Sequence, residues 1–323
     1  MSTGKAFVTG CAGFLGSHLC DRLLAEGYEV VGFDNFSTGQ KEFLKIASEN
    51  GRFRWVEGDA VDSDKLKIAM KGCDAVFHLA ANADVRFGTQ NPRRDLDQNT
   101  VATFNVLEAM RANKIRRMLF TSTGSVYGNT AAHPTPEDAS FPVQTSFYAA
   151  SKLGAEGFIE AFSEAFDIEA TVLRLVSVLG ERYSHGHVFD FYQQLLEHPE
   201  RLDVLGNGKQ RKSYLYIQDL LDGMFLAFRA PGRFKRLNIG TEESCTVDES
   251  IGWIAKHLGL KPSLKHSGGE RGWVGDNPFI LLDISKIKKI GFKPKVSIQD
   301  AVVRTVRYLE KNQWLLKKRD KSI

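Results

Sequence analysis

The sequence of 323 residues has no long apolar run. No stretch approaches the ~20 apolar residues that a membrane-spanning helix needs. No apolar export segment precedes the first predicted strand, Lys5–Thr9. These absences predict a cytoplasmic protein that does not enter a membrane.

Cysteine is also scarce. The four cysteines are Cys11, Cys20, Cys73 and Cys245, and their spacing is typical neither of metal ligands nor of a small disulfide-rich domain. We therefore expect reduced thiols that pack in the interior and no metal site.

The charge is nearly balanced, with 43 basic and 39 acidic residues. A nucleic-acid-binding protein usually concentrates its basic residues on one face, whereas the basic residues here cluster only near the C-terminus, where a solvated surface explains them. There is no internal repeat and no low-complexity segment. The composition predicts an ordinary globular protein that does not bind nucleic acid.

What the sequence does contain is an alternation of short apolar runs and helical segments. Near-continuous apolar strands separated by helices favour a doubly wound α/β domain, with a parallel Rossmann sheet covered on both faces. The predicted strands are Lys5–Thr9, Tyr28–Phe33, Phe53–Glu57, Ala75–Leu79, Arg117–Thr121 and Ala170–Val176. The clearest predicted helices are Leu15–Glu26, Asn99–Asn113 and Tyr148–Phe166.

The alternation of apolar runs and helical segments ends at about residue 177, after which residues typical of turns are frequent. We predict a first domain over 1–176 and a smaller α+β substrate domain over 177–323, with a strand near 236–239 that could rejoin the first sheet. A ligand cleft should lie between the two domains.

A glycine-rich loop follows the first predicted strand. Its segment Thr9–Gly16 has glycines at Gly10, Gly13 and Gly16, the last at the start of a helix. Such glycines let the backbone approach a pyrophosphate, whose charge is stabilised by the helix N-terminus. The loop therefore predicts a bound dinucleotide.

An acidic residue at the end of the second predicted strand identifies the dinucleotide. Asp34 lies 18 residues beyond Gly16, where a carboxylate would accept hydrogen bonds from the adenosine ribose. Its charge would repel a 2′-phosphate, and no arginine follows it directly. NAD is therefore predicted rather than NADP.

Other strand ends contribute further cofactor contacts. Asp59 could meet the adenine amino group, and the small Ala80 and Ala81 would let the cofactor lie close to the backbone. The full predicted set for NAD is Gly10, Gly13, Phe14, Leu15, Gly16, Asp34, Asn35, Ser37, Thr38, Gly39, Asp59, Ala60, Leu79, Ala80, Ala81, Asn99, Thr121, Tyr148 and Lys152.

A tyrosine and a lysine four residues apart form the candidate catalytic set with a threonine. Tyr148 and Lys152 share one helix face, and Thr123 follows the fifth predicted strand. A tyrosine with its usual pKa near ~10 is a poor base at neutral pH, but a neighbouring ammonium and a nicotinamide cation favour the phenolate. Tyr148 could then take a proton from a sugar hydroxyl as hydride leaves the same carbon.

These motifs together resemble the extended short-chain dehydrogenase/reductase family, and within it the nucleotide-sugar 4-epimerases. The resemblance covers nearly the whole chain. It includes Thr9–Gly16, Gly32–Gly39, His78–Ala81, Asn99, Ser125–Gly128, Tyr148–Lys152, Gly206–Gln210, Tyr216–Asp219, and Gly275-Asp276 followed by Leu282–Lys286.

The resemblance implies a tightly held NAD, a nucleotide-diphospho-sugar substrate and a transient 4-keto sugar. It also implies a homodimer that pairs the helices Asn99–Asn113 and Tyr148–Phe166. In this scheme Tyr148 is the base and acid, Thr123 binds the reacting oxygen, and Lys152 orients the nicotinamide ribose.

Two positions beside the catalytic threonine distinguish reactions within the family. The 4,6-dehydratases carry an Asp-Glu pair there, and UDP-glucuronate decarboxylases usually carry Glu in the second position. This chain has Gly124 and Ser125, which disfavours both reactions. A 4-ketoreductase or dehydrogenase on the same scaffold stays open as the alternative, and a non-catalytic NAD-binding protein is a third hypothesis.

The substrate-binding positions depart from the common epimerase pattern. Ser177 stands where many epimerases have asparagine, Lys212 where they have arginine, and Arg271 lies two residues from the expected place. Lysine gives a point charge rather than a bidentate fork. The predicted substrate contacts are Thr123, Ser125, Tyr148, Ser177, His185, His187, Arg211, Lys212 and Arg271.

Overall fold

The computed structural model describes residues 4–82, 87–130, 132–139, 143–273 and 276–319. Gly275, one of the motif residues quoted above, lies outside these ranges. The strands are β1 Lys5–Thr9, β2 Glu29–Asp34, β3 Phe53–Glu57, β4 Ala75–His78, β5 Arg117–Thr123, β6 Glu169–Leu175, β7 Ser177–Leu179, β8 Arg201–Val204, β9 Arg211–Lys212, β10 Tyr214–Tyr216, β11 Phe234–Ile239, β12 Cys245–Thr246, β13 Ser263–His266 and β14 Phe279–Ile280.

The α-helices alternate with the strands in the first half and dominate the C-terminal part. They are α1 Phe14–Ala25, α2 Lys45–Ser48, α3 Ser63–Ala69, α4 Pro92–Asp95, α5 Ala102–Ala112, α6 Phe147–Phe166, α7 His187–Glu197, α8 Ile217–Arg229, α9 Val247–Leu258, α10 Ser285–Lys289, α11 Ile298–Lys311 and α12 Trp314–Arg319. A π-helical turn, Leu96–Val101, joins α4 to α5, and 3-10 turns occupy Lys41–Leu44, Phe87–Thr89 and Gly124–Tyr127.

Seven parallel strands form the central sheet in the order β11-β6-β5-β4-β1-β2-β3. The chain moves outward from β1 in both directions, so the order reverses between β1 and β4. Ligands of doubly wound sheets bind outside the carboxyl ends of the strands at such a reversal. The predicted fold class is confirmed, and the outermost strand, β11, comes from beyond residue 177.

Alternate residues of the central strands enter two separate cores. Phe7, Val76 and Phe120 pack against α3, α5 and α6, whereas Val8 and Phe77 pack on the opposite face against α1, α2 and α8. Because both faces are buried, the strands are apolar at nearly every position. This pattern is what made them recognisable in the sequence.

The remainder of the second half contains three small sheets. β7 pairs with β10, β8 pairs with β13, and β9 lies between β12 and β14. Asn277 Nδ2 donates to the Gly128 carbonyl oxygen at 2.8 Å, which brings this part of the chain to the carboxyl end of β5. Across the described ranges, no helix is long and apolar enough to cross a bilayer.

Candidate active site

The predicted glycine loop lies at the carboxyl end of β1, beside β4. Gly10 has a φ of +69°, which favours glycine, and its N–H donates to the Phe33 carbonyl oxygen at 2.8 Å. Gly13 is the N-cap of α1, and no side chain caps that helix. The first-turn N–H groups, including those of Phe14 and Leu15, therefore form a site suited to an anion.

The loop that carries Gly10, Gly13 and Gly16, called the glycine cradle below, has the bare backbone that a dinucleotide requires. A Cβ at Gly10 would lie 2.8 Å from the Ala80 nitrogen, and one at Gly16 would lie 1.9 Å from the Gly10 carbonyl oxygen. No side chain fits at either position without moving backbone, so the loop presents bare backbone between β1 and β4. This is the surface that a pyrophosphate needs.

Asp34 ends β2 directly beside this loop. Its two carboxylate oxygens accept hydrogen bonds from the Ala12 N–H at 2.9 Å and the Phe36 N–H at 2.8 Å. Burial raises the pKa of this carboxyl, and the two backbone hydrogen bonds oppose that rise. Each oxygen keeps a second lone pair that can accept from a ribose hydroxyl. Gly39 packs against the same carboxylate.

A cleft of about 230 Å³ continues from Asp34 toward β3. Asp59 lies in its wall and accepts hydrogen bonds from Asn35 and Gln98. Burial opposes ionisation of Asp59, but its hydrogen bonds outweigh that effect and lower its pKa. The lining residues are Asn35, Ser37, Thr38, Asp59, Ala81, Asn82, Arg94 and Gln98.

Five of these lining residues were predicted, and three were not. The arginine is notable because Arg94 approaches the cleft from α4, 60 positions after Asp34. The predicted Ala60 lies behind the cleft, where its side chain is part of the core.

A buried hydrogen-bond chain fixes the ends of β1 and β4. The Thr9 hydroxyl accepts from the N–H groups of Leu79 and Ala80, both at 3.1 Å, and meets His78 Nδ1 at 2.7 Å. His78 Nε2 lies 3.0 Å from the Thr103 hydroxyl. Burial, assisted by the charge of Lys152, lowers the pKa of His78 to about 3. His78 is therefore a neutral link.

Asn99 occupies the π-helical turn and connects it to the catalytic helix. Its Nδ2 donates to the Ser151 hydroxyl at 2.9 Å, and its Oδ1 accepts from the Asn82 N–H at 2.9 Å. Single π-helical turns are frequent at functional sites. Here the turn brings a fully buried amide to the edge of the cofactor cleft.

Tyr148 and Thr123 meet at the carboxyl end of β5. Burial raises the pKa of Tyr148 to about 12, a hydrogen bond with the Thr123 side chain lowers it, and the Asp95 carboxylate raises it. From the sequence, Lys152 is expected to favour the phenolate, whereas in the structure the contact that lowers the pKa of Tyr148 is the hydrogen bond with Thr123.

Lys152 lies on the same face of α6, one turn beyond Tyr148. Its Nζ donates to the Thr121 carbonyl oxygen at 3.0 Å and lies 4.6 Å from the centre of the Phe120 ring. Burial lowers the pKa of Lys152 to about 7, and the charge of Glu156 opposes this. The ammonium is thus held at the strand end that carries Thr123.

The two positions after Thr123 form a tight 3-10 turn. The Ser125 N–H donates to the Thr123 hydroxyl at 3.1 Å. A Cβ at Gly124 would approach Leu282 at 3.3 Å and Ile280 at 3.4 Å. This packing is tight, so an acidic side chain at position 124 would require the side chains of Leu282 and Ile280 to move.

Several predicted substrate residues converge beyond β6. Ser177 pairs in register with Tyr214, whose ring centre lies 4.6 Å from that of His187. Burial, together with the charge of Lys212, lowers the pKa of His187 to about 3. His187 Nε2 lies 2.9 Å from the Ser250 hydroxyl.

The side chains of the two adjacent basic residues of β9 have different partners. Lys212 Nζ lies 2.8 Å from Asp276 Oδ1 and also donates to the Asn277 carbonyl oxygen. Arg211 hydrogen-bonds to the Ser244 carbonyl and hydroxyl oxygens. Since successive strand residues point to opposite faces, Lys212 lies on the His187 side and Arg211 does not.

Arg271 and His185 lie on exposed loops at the rim. Arg271 donates to Asn129 Oδ1 at 3.3 Å, close to the turn that follows Thr123. The His185 ring is stacked on Tyr183, with the ring centres 6.2 Å apart. Within the described ranges, no three His, Cys, Asp or Glu residues group as metal ligands.

Comparison with known proteins identifies the family. The model for the NAD dependent epimerase/dehydratase family matches residues 6–240. UDP-glucose 4-epimerase from Mycolicibacterium smegmatis is 32% identical, over 94% of this chain and 98% of that protein. UDP-glucuronic acid decarboxylase 1 from Arabidopsis thaliana also matches, with 30% identity over 94% of this chain and 69% of that protein.

Solved structures that are similar to this chain support the same family. A crystal structure of a UDP-galactose 4-epimerase has a TM-score of 0.86 and 35% identity, covering 96% of this chain and all of that one. UDP-glucuronic acid 4-epimerase from Bacillus cereus, solved with UDP-glucuronic acid and NAD, has a TM-score of 0.88 and 29% identity, covering 95% and 99%. The chain belongs to the NAD-dependent epimerase/dehydratase family, as an extended short-chain dehydrogenase/reductase whose cofactor is NAD.

Proposed function

We propose that this protein is an epimerase that inverts C4 of a UDP-sugar through a transient 4-keto sugar. The observation that carries the proposal is the contact between Tyr148 and Thr123 at the carboxyl end of β5, with the Lys152 ammonium one helical turn away. The names of the relatives and of the solved structures favour a UDP-sugar.

Tyr148 is the base and later the acid. Its phenolate takes the proton of the C4 hydroxyl, and Thr123 hydrogen-bonds the same oxygen. NAD, when bound, accepts the C4 hydride and returns it. Once the keto sugar has rotated, the opposite face of C4 is presented to the cofactor, so the returned hydride inverts this centre and Tyr148 gives its proton back to the C4 oxygen.

Lys152 and the glycine cradle do the positioning. Lys152 orients the nicotinamide ribose, while the hydrogen bond from Thr123 is the contact that lowers the pKa of Tyr148. The first turn of α1 would bind the pyrophosphate, and Asp34 the adenosine ribose. Leu79, Ala80, Asn99 and Thr121 would line the remaining path of the cofactor.

The substrate diphosphate and sugar would lie beyond β6. We assign Ser177, His187 and Lys212 to this part, with Ser125 near the sugar and His185 and Arg271 at the rim. Arg211, on the opposite face of β9, is not part of this proposal. The same division gives residues 1–176 to the cofactor and 177–323 to the nucleotide sugar, with β11 returning to the first sheet.

A substrate panel tests the proposal. Purified protein is incubated with UDP-glucose, UDP-galactose, and their N-acetyl and uronate forms, and the products are separated by chromatography. We expect interconversion of one C4 pair without added cofactor. Failure to interconvert any pair would overturn the proposal.

Two alternatives give different products in the same panel. A 4-ketoreductase or dehydrogenase would consume or release nicotinamide cofactor stoichiometrically. A decarboxylase would release carbon dioxide and a UDP-pentose from UDP-glucuronate. Ser125 stands where the decarboxylases usually carry glutamate, so we do not expect this product.

A further inference from the structure

One buried carboxylate, Glu156, lies beneath the candidate catalytic residues. It is only 1% exposed and continues the spacing of four on α6 that relates Tyr148 to Lys152. A buried carboxylate is costly unless it is paired and fully hydrogen-bonded. The partners that satisfy the Glu156 carboxylate show what this buried charge connects.

Three strands supply the partners of Glu156. Arg174 of β6 binds both carboxylate oxygens, at 2.8 and 3.0 Å between the closest atoms. Arg236 of β11 donates at 3.1 Å. The hydroxyl of Ser122 in β5 donates at 2.5 Å.

Two of these partners lie side by side across the sheet. Ser122 and Arg174 are paired in register between β5 and β6. Glu156 therefore links α6 to two neighbouring strands at the end of the sheet where the candidate site lies.

The bond to Ser122 bears directly on the candidate catalytic residues. Ser122 is the residue before Thr123, and the residue before it, Thr121, accepts the Lys152 hydrogen bond. The strand end is thus attached to α6 at two successive residues, through Lys152 and Glu156. Both bonds join the strand end that carries Thr123 to the helix that carries Tyr148.

We propose that Glu156 is a positioning residue that holds the Ser122–Thr123 strand end against the helix carrying Tyr148 and Lys152. This inference rests on the proposed roles of those three residues. Glu156 does not touch the reacting atoms and acts through Ser122 and through its charge.

The charge of Glu156 also acts on Lys152. The groups that face Lys152 are Glu156 and Tyr148 on its own helix, the Thr121 carbonyl and Phe120 ring of β5, and His78 of β4. His78 is neutral. Glu156 is therefore the negative charge that raises the pKa of Lys152 against the effect of burial.

Two variants separate the parts of the proposal, and one provides a control. Ser122→Ala removes the strand contact while Glu156 keeps both arginines. Glu156→Gln removes the charge. Glu160→Gln is the matched control, because Glu160 lies one turn further along α6 and pairs with the same Arg236 at 2.9 Å. Glu160 is largely exposed and contacts neither Ser122 nor Lys152.

Activity and pH profile are measured on the NAD-loaded protein with the sugar pair found in the panel. For Ser122→Ala we expect kcat to fall about tenfold or more with KM unchanged, since small displacements of reacting groups cost that much. For Glu156→Gln we expect the alkaline limb of the kcat profile to move to lower pH, because Lys152 loses its proton more easily. Glu160→Gln should match the wild type in both measurements.

A second readout does not need turnover. The Tyr148 phenolate is titrated by ultraviolet difference absorbance between each NAD-loaded protein and its Tyr148→Phe counterpart. We expect the titration to move to higher pH in Ser122→Ala, since Thr123 no longer holds the phenol, and to stay unchanged in Glu160→Gln. This readout tests Glu156 even if the wild type interconverts no UDP-sugar, an outcome that would contradict only the proposed function.

Folding is checked first, because Glu156→Gln leaves Arg174 buried without its anion. If that variant does not fold, Ser122→Ala decides alone. Wild-type kcat and an unchanged phenolate titration in Ser122→Ala would show that Glu156 only stabilises the fold, and would overturn the proposal.

Discussion

At the scale of single residues, the phenol of Tyr148 carries the proposed chemistry. Replacing Tyr148 with Phe removes the proton acceptor and keeps the ring, so turnover should fall by about 10²–10⁴-fold, the usual contribution of a general base. Steady-state rates and the amount of NAD retained through purification provide the measurement. NAD should stay bound, because the glycine cradle and Asp34 are unchanged.

Tyr28→Phe is the control for this substitution. Tyr28 lies just before β2 at the amino end of the sheet, far from Thr123. It should turn over like the wild type. Near-normal activity of Tyr148→Phe would remove Tyr148 from the mechanism.

The buried His78 makes a pH prediction at the same scale. Its pKa falls from the ordinary 6.5 to about 3 in the folded protein, so the folded state binds fewer protons than the unfolded state between these values. The stability that His78 contributes is therefore present above 6.5 and is lost as the pH falls toward 3. The slope within that interval is about 1.4 kcal/mol per pH unit.

Urea unfolding at several pH values measures this slope. His78→Gln removes the titrating group, so its free energy of unfolding should depend less steeply on pH in the acid range than that of the wild type. His198→Gln, on an exposed side chain, is the control and should keep the wild-type slope. Equal slopes for His78→Gln and the wild type would contradict the assignment.

The sequence predicted the residues that follow strand ends and missed those that reach the site by packing. Asp34 and Thr123 are recognisable because they follow predicted strands, and Lys152 is recognisable because it lies four residues after Tyr148 on one helix. Arg94 reaches the cofactor cleft from α4, and Asp276 meets Lys212 across 64 positions. Nothing in the local sequence of either residue specifies those contacts.

At the scale of elements, the close approach of α1 to the glycine loop makes a prediction. Gly16→Ala would place a methyl group 1.9 Å from the Gly10 carbonyl oxygen, so α1 must move away from the loop. We expect NAD to be lost on purification and the melting temperature to fall. Cofactor content and thermal unfolding measure the two effects.

Gly252→Ala is the matched control within another helix. Gly252 lies in α9 with no atom near the position of a Cβ. Alanine there should stabilise the protein by about 0.5–1 kcal/mol, because glycine in a helix costs conformational entropy, and NAD should be retained. Retention of NAD by Gly16→Ala would show that the loop tolerates the shift.

The strands and the three long helices of the first half lie within a few residues of their predicted bounds, because both faces of the sheet are buried. Each central strand is an apolar run, and each long helix has a clear periodicity. The short strands β7, β9 and β10 have two or three residues, too few for any period. The π-helical turn at Asn99 has no sequence signal of its own, and the hydrogen bond from Asn99 to Ser151 on α6 joins residues far apart in the chain.

At the scale of the whole molecule, an aromatic surface on α5 and α6 supports the expected homodimer. Phe104, Phe158 and Phe166 are 38%, 42% and 43% exposed. Phe104 contacts Phe158 edge to face with ring centres 5.4 Å apart, and the more buried Phe162 contacts both Phe104 and Phe166. Contiguous exposed apolar surface of this kind is typical of an interaction site.

We propose that a second copy of the chain covers this surface. A twofold axis would place the same aromatic residues of both copies in one interface. Phe158→Asp introduces a charge at the centre of the patch and should shift the protein from dimer to monomer in sedimentation velocity. The helical content should remain unchanged, because this side chain is directed outward.

Ile46→Asp is the control for that experiment. Ile46 is more exposed than Phe158, at 64%, but lies on α2, which packs on the opposite face of the sheet. It carries the same change of charge and should remain dimeric if α5 and α6 form the interface. A wild type that sediments as a monomer, or a Phe158→Asp variant that remains a dimer, would exclude this surface. In either case the aromatic patch would need another explanation, because contiguous exposed apolar surface is uncommon on a monomer.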